Sequence, residues 1–294
     1  MTGSIYDLGY RRYDGPRLGR RHAVVALFRH SLRSVFGIGR SGRAKILPFI
    51  CIGLPTLIAA ILVAVRALAG RAGFENVQLV PGHDGIYPII AVFPTLFVAA
   101  QAPELLGRDQ RYRTLTLYFS RALHRPDYAI GKLLALSVGV AVILILPHLV
   151  TTIGTILLTA DTAAGMTKEL GTLPAVVGST LVIAVVTAAI ALAVASLTSR
   201  RAYATAAIFG VLIIPDIVAT VIIGLDLGGV SQWVVLFDIG ALVDGTNSWF
   251  FGVITTNAAA FGSGVPAGIL TLAALVVGAA ATGFLVVRYQ RIAA

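Results

Sequence analysis

The chain has 294 residues, of which 57% are hydrophobic and 12% are charged, and its formal net charge is +10. Soluble domains carry about 25% charged residues, so this composition excludes an ordinary soluble domain. The basic residues cluster beside apolar stretches, so nucleic acid is not the expected partner. The apolar residues form blocks of about 20, the length that a helix needs to cross the hydrocarbon layer of a membrane. We therefore expect an all-α integral membrane protein in contact with lipid.

The first 45 residues predict a basic cytoplasmic arm that carries one short helix. Apolar residues recur at helical spacing between residues 22 and 36, and most of the basic side chains there fall on the other side. A segment of this length is too short to cross a membrane, so it predicts an interfacial (elbow) helix at 22–36. A helix that packs into a soluble core is the alternative. No cleavable signal peptide is expected, because the first long apolar block begins only near Ile46.

Six transmembrane helices are predicted within residues 46–287, followed by a cytoplasmic tail at 288–294. The predicted spans are about 46–66, 86–107, 133–158, 173–198, 203–224 and 265–287. The first two contain prolines, which membrane helices tolerate when neighbouring groups satisfy the freed carbonyl groups.

The basic residues predict the orientation. All but three of the 23 Lys and Arg residues fall in the N-terminal arm, the loop after the second span, the turn after the fourth span and the tail. The exceptions are Arg66, Arg71 and Lys168. Excess positive charge in short loops marks the cytoplasmic side, so both termini are predicted to be cytoplasmic. The Gly- and Ala-rich composition, with more Arg than Lys, is typical of a high-GC bacterium, so we expect the spans to lie in a bacterial inner membrane.

Residues 225–264 do not contain an apolar block long enough to cross. Two short apolar pieces, 232–243 and 248–254, are interrupted by Asp238, Asp244 and Gly245. They predict short re-entrant helices in the outer leaflet before the last span, with both tryptophans at the interface. A single broken helical hairpin is the alternative.

Two ionisable residues inside predicted spans are candidates for a translocation path, because such residues are costly in a membrane. Asp216 follows Pro215 in the fifth span and predicts a cavity-lining or gating group, or else a hydrogen-bonded structural carboxyl group. His148 follows Pro147 in the third span, where a structural histidine is the favoured reading. The five histidines are spread out, so a metal site is not expected.

The loop after the second span is the most informative segment of the chain. Residues 103–136 resemble the membrane permease of type-2 ABC transporters, which has an acidic residue at the end of its second span, a basic cluster and a short amphipathic helix. The sequence departs from that pattern at Ala122, where proline is common; Pro126 stands four residues later. The matching residues are Glu104, Asp109, Arg113, Thr114, Leu115, Ser120, Arg121, Arg125, Tyr128, Gly131 and Lys132.

The resemblance implies a permease subunit that binds two separate ABC ATPase subunits and pairs with a second permease copy or a paralogue. ATP and Mg would be bound by the ATPase, whereas this chain would bind no cofactor and would not be an enzyme. It contains no G-x-x-x-x-G-K-[ST] phosphate-binding motif. In that family the short cytoplasmic helix after the second span contacts the ATPase, and the predicted coupling residues are Arg113, Leu115, Tyr118, Phe119, Arg121 and Arg125. Glu104, Arg108 and Asp109 are candidates for gating or a salt bridge, and for Glu104 the structural reading is a salt bridge to Arg108 or to an arginine of the loop.

The same loop has a physical reading that does not use the family. Leu115, Leu117, Tyr118 and Phe119 form an apolar stripe between basic groups, which predicts insertion into a partner's groove. A helix held on anionic lipid by its arginines is the alternative. The expected function is export of a lipidic or amphipathic drug-like substrate. An ion-coupled secondary transporter centred on Asp216 is the alternative, and an intramembrane enzyme would need a cluster of Asp, His or Ser that the sequence does not offer.

Overall fold

The computed structural model describes residues 15, 18–72, 81–120, 123–225, 228–229 and 231–291, and the fold is given for these residues. Within them the chain is helical and contains no strand. The α-helices are α1 Gly19–Val35, α2 Gly42–Arg71, α3 Ile86–Ile90, α4 Val92–Arg111, α5 Leu115–Phe119, α6 Arg125–Leu158, α7 Thr162–Ala195, α8 Arg201–Gly224, α9 Ile239–Phe251, α10 Ala258–Ser263 and α11 Ala267–Arg291, and a 3₁₀ helix covers Ser231–Phe237.

Five of these helices, α2, α6, α7, α8 and α11, are long and apolar enough to cross a membrane. They coincide with five of the predicted spans, and the protein is therefore a multi-pass membrane protein. Three of them start at least four residues earlier than predicted: α2 at residue 42, α6 at residue 125 and α7 at residue 162. The additional helical turns contain charged residues, and several of these form ion pairs or hydrogen bonds with other helices. Lys132, for example, forms an ion pair with Asp109.

The predicted span at 86–107 is divided into α3 and α4, and neither is among the five long apolar helices. The interruption falls at Ala91. Pro94 has no N–H to donate to the carbonyl group of Ile90, which explains a helix break at this place. The polar end of α4 also lowers its hydropathy. Yet α4 is an interior helix: Phe97, Val98 and other apolar side chains of α4 are fully buried.

Helix α6 lies at the centre of the bundle and packs against α1, α2, α4, α7 and α11. Small residues allow the closest contacts. A Cβ atom at Gly139 would lie 2.8 Å from both Phe97 of α4 and Val35 of α1, so a larger residue there would force these side chains to shift. The helix predicted in the N-terminal arm is present as α1, and it buries Leu27 and Val35 in the bundle.

The ends of the helices meet in two groups. The start of α2, the ends of α4 and α11, and the starts of α6 and α8 are joined by hydrogen bonds and ion pairs, and we call this the basic end. The end of α2 contacts the end of α6, and the segment before α3 contacts α6 and α7; we call this the far end. The chain therefore leaves the basic end along α2 and returns to it through α3 and α4.

The segment at 225–264 is packed into the bundle. Helix α9 contacts α7, α8 and α11, and most of its residues are buried. It ends at Gly252, which has a left-handed conformation (φ 66°) that glycine adopts without strain. The helices differ from the predicted pieces because α9 runs through residues 244 and 245, where the sequence reading expected an interruption. Asp244 lies inside α9 and accepts hydrogen bonds from the backbone N–H groups of Thr256 and Asn257.

Candidate functional site

The loop that joins α4 to α6 is the candidate functional site. Helix α4 ends at Arg111, and the chain reverses at Arg113, whose backbone is left-handed (φ 53°). Thr114 donates its backbone N–H to the carbonyl oxygen of Asp109 at 3.0 Å and its hydroxyl group to a carboxylate oxygen of the same residue at 3.3 Å. After this turn, the aromatic side chains of α5 lie against Tyr128 at the start of α6.

Asp109, in the last turn of α4, connects the loop to α6. One carboxylate oxygen accepts a hydrogen bond from the Tyr128 hydroxyl group at 2.7 Å and lies 2.9 Å from Nζ of Lys132. Lys132 is almost fully buried. A buried ammonium group is stable only with a hydrogen-bonded counter-charge, so the position of Asp109 is fixed relative to α6. Movement of the end of α4 would therefore displace α6 or break a buried ion pair.

An aromatic cluster connects the same loop to α11. The ring of Tyr128 lies 5.6 Å from that of Tyr118, 6.0 Å from that of Phe119 and 5.0 Å from that of Tyr289. Gln110 donates a hydrogen bond to the Tyr289 hydroxyl group at 3.2 Å. Burial, and then the charge of Asp109, raise the pKa of Tyr118, so its phenol group remains neutral in the cluster.

The exposed surface of α5 differs from the predicted stripe. Leu117 is 66% exposed, whereas Leu115 is only 8% exposed and packs in the core, so Leu115 is not part of the exposed surface of α5. Tyr118 and Phe119 are half-buried against Tyr128. The four apolar side chains do not form one exposed stripe, because Leu115 points inward and packs against the rest of the protein.

Two predicted arginines flank this surface. Arg113 is exposed. Arg125 donates a hydrogen bond to the carbonyl oxygen of Gln290 at 2.7 Å, and its guanidinium group lies 5.7 Å from the centre of the Phe119 ring. A cavity of about 530 Å³ opens beside Phe119 and Arg125. Arg121 lies outside the described residues.

Glu104 is the hub of a second ion-pair group at the basic end. Its carboxylate oxygens lie 2.5 Å from Arg40, before α2, and 2.6 Å from Arg201, the first residue of α8. The sequence reading favoured a salt bridge to Arg108 or to an arginine of the loop. Instead, Arg108 is exposed and has no ion pair within the described part of the chain. The sequence did not indicate Arg40 and Arg201 as partners, because they are far from Glu104 in the chain and lie at the ends of two other helices.

Asp216 of α8 lies near a second carboxyl group that sequence reasoning did not pair with it. Asn257 donates a hydrogen bond to Asp216 at 2.8 Å. Asp238 is fully buried. Its polar neighbours are the carboxyl group of Asp216 and the backbone N–H groups of Gly240 and Ala241. Neither of its oxygens forms a hydrogen bond of ordinary geometry with a described residue. The pKa of Asp238 is raised to about 7, mainly because the group is buried and further because the carboxyl group of Asp216 is nearby.

His148 also has partners that the sequence did not reveal. Nδ1 of His148 lies 3.0 Å from Nδ1 of His83, and Nε2 of His83 lies 2.8 Å from a carboxylate oxygen of Glu169. All three side chains are buried. His83 and Glu169 lie outside the predicted spans. Glu169 belongs to a helix because α7 starts at residue 162 and not at the predicted residue 173. No metal-binding group of three or more such residues is found among the described residues.

No protein-family model matches this chain, and no curated protein matches it. The functional interpretation therefore depends on the geometry above and on the residue pattern at 103–136.

Proposed function

We propose that this chain is the transmembrane permease subunit of an ABC transporter. It would bind two separate ATPase subunits, which hold ATP and Mg²⁺, and it would itself have no enzymatic activity. It would act as a dimer with a second copy or a paralogue in the bacterial inner membrane, with both termini in the cytoplasm. The proposed substrate is lipidic or amphipathic and drug-like, and the proposed direction is export.

The observation that carries this proposal is the attachment of α5 to the start of α6, which in turn contacts the end of α11. The rings of Tyr118 and Phe119 in α5 lie against Tyr128 of α6, and the ring of Tyr128 lies against Tyr289 of α11. Leu117 remains on the outside of this assembly. A partner that binds Leu117 and moves would therefore displace the ends of α6 and α11 together. This is the mechanical requirement for coupling an external ATPase to a change in the transmembrane helices.

The six-span arrangement is part of the same proposal, with α3 and α4 as the second crossing. Helix α2 starts at the basic end and α4 ends there, because Arg40 and Arg201 both contact Glu104. The 20 residues of α4 alone extend about 30 Å, the thickness of the hydrocarbon layer. In this proposal α4 is shielded from lipid by its neighbours, which accounts for its polar composition.

The test is co-purification of the tagged full-length chain from native membranes, followed by an ATPase assay. Leu117→Asp places a charge on the exposed face of α5 and is expected to remove most of the co-purifying ATPase activity. The matched control is Leu197→Asp, because Leu197 is 58% exposed in the turn between α7 and α8 at the same end of the bundle. This control should retain the activity. Loss in both variants, or in neither, would contradict docking through α5.

An ion-coupled transporter is the second candidate, and one observation favours it. Asp238 is a fully buried carboxyl group that forms no ion pair within the described part of the chain, and it lies beside Asp216. Such a pair can bind and release a proton. This candidate predicts substrate flux driven by a proton gradient in liposomes that contain this chain alone, and loss of that flux in Asp216→Asn. Flux that requires an ATPase partner excludes it.

A further inference from the structure

The far end of the bundle contains a cavity of about 1110 Å³ between α2, α6 and α7. Three basic side chains line it: Arg66 and Arg71 from the end of α2, and Lys168 from the start of α7. These are the same three residues that the charge distribution of the sequence separates from all the other Lys and Arg residues. Their convergence on one cavity is not dictated by their positions along the chain, since α7 lies far from α2 in sequence.

The walls of this cavity combine hydroxyl groups with apolar side chains. Thr151, Thr155, Thr159 and Thr172 contribute hydroxyl groups, while Leu157, Leu158, Phe251 and Val253 contribute apolar surface. Hydroxyl donors and cations together suit an anion with several oxygen atoms. The apolar surface suits a hydrocarbon portion next to that anion.

The cavity also contains two acids, and the charges have to be compared. Glu169 is already paired with His83 at 2.8 Å, and Asp84 is the other acid. Arg66 is held in the wall by hydrogen bonds to the Thr155 hydroxyl group and the Pro81 carbonyl oxygen. Arg71 and Lys168 are exposed to the cavity and form no ion pair within the described part of the chain. Three cations against two acids, one of them paired, leave the cavity positive.

We infer that this cavity binds a phosphate group, either the headgroup of an anionic lipid or free phosphate. Arg71 and Lys168 bind the phosphate oxygens from two sides, and the hydroxyl groups of Thr151 and Thr155 donate further hydrogen bonds. The hydroxyl groups of Thr159 and Thr172 already donate to backbone carbonyl oxygens. For a lipid, the acyl chains leave along the apolar wall. This site lies at the end of the bundle opposite the α4–α6 loop and goes beyond the proposed function, because its occupation requires no ATPase.

The test is native mass spectrometry of the full chain in detergent, titrated with dioctanoyl phosphatidic acid and, as a matched ligand without phosphate, dioctanoylglycerol. The phosphate-bearing lipid is expected to bind at least tenfold more tightly. Arg71→Gln combined with Lys168→Gln should weaken its binding at least tenfold, without changing the elution of the protein, because both side chains are exposed. The matched control is Arg43→Gln combined with Lys45→Gln, which removes the same charge from exposed residues at the other end.

Equal binding of the two lipids would overturn the inference, and so would equal weakening by the two double variants, since that indicates general attraction to a positive protein. Competition with inorganic phosphate identifies the source of the group. Displacement of the lipid by phosphate alone would support a site for the free anion, whereas a lipid that resists displacement would support a headgroup site. None of these readings depends on an ATPase, so failure here leaves the Leu117→Asp test unaffected.

Discussion

The two ends of the helix bundle treat their charged residues differently. At the basic end, Glu104 pairs with two arginines, and Asp109 accepts hydrogen bonds from three side chains that include Lys132. In the far half, Asp238 is buried without such a partner, and Arg71 and Lys168 face a cavity. Paired charges fix helix ends relative to one another, whereas unpaired charges are free to bind protons or ligands. The basic end is thus suited to transmitting a movement, and the far half is suited to binding.

The largest effect should follow from breaking the paired end at its hub. Glu104→Gln removes the counter-charge of Arg40 and Arg201, and Arg40 is mostly buried. We expect the free energy of unfolding in detergent to fall by about 3 kcal/mol, the cost of leaving a largely buried charge unpaired. The control is Arg108→Gln, which removes an exposed arginine of the same helix and should leave stability nearly unchanged. A small effect of both variants would show that the ion pairs do not hold this end together.

The second prediction tests how tightly α2 and α6 pack at the far end. A Cβ atom at Gly154 of α6 would collide with the side chain of Val63 in α2. We expect Gly154→Ala to lower the free energy of unfolding by about 2 kcal/mol, because overpacking forces the helices apart. Gly171→Ala in α7 meets no neighbouring atom and should be neutral or slightly stabilising. If Gly154→Ala is equally harmless, α2 and α6 are not closely packed at this position.

The smallest predicted effect concerns Asp238. Its pKa is raised to about 7, so the folded state holds this proton more tightly than the unfolded state does. The stabilisation is complete below the ordinary carboxyl pKa and is lost as the pH rises through about 7. Between about pH 6 and about pH 8 the wild-type protein should lose roughly 1 kcal/mol of stability.

Asp238→Asn should remove this part of the pH dependence, as measured by unfolding curves at the two pH values. The difference between the two proteins excludes histidine titration, because both retain the same histidines. Asp161→Asn, which changes an exposed carboxyl group at the start of α7, should keep the wild-type pH dependence. An unchanged slope in Asp238→Asn would show that the pKa of this carboxyl group in the folded state does not lie between about pH 6 and about pH 8.

The sequence by itself determined the class of the protein, because uninterrupted apolar blocks leave a helix in lipid as the stable solution for the backbone. It also predicted the position of five long helices and of α1, and it separated Arg66, Arg71 and Lys168 from the other basic residues. These results depend on local composition, which a linear reading contains. The break at Ala91 was missed although Pro94 was visible, because membrane helices often tolerate proline.

Only the tertiary structure decided which charged groups meet. Glu104 could not be paired with Arg40 and Arg201, nor His148 with His83 and Glu169, because each set combines residues far apart in the chain. The same applies to the inward orientation of Leu115, which depends on the packing of α5 against its neighbours. Ion pairs and cavities form where helix ends converge, and that convergence is a property of packing, which periodicity and composition do not encode.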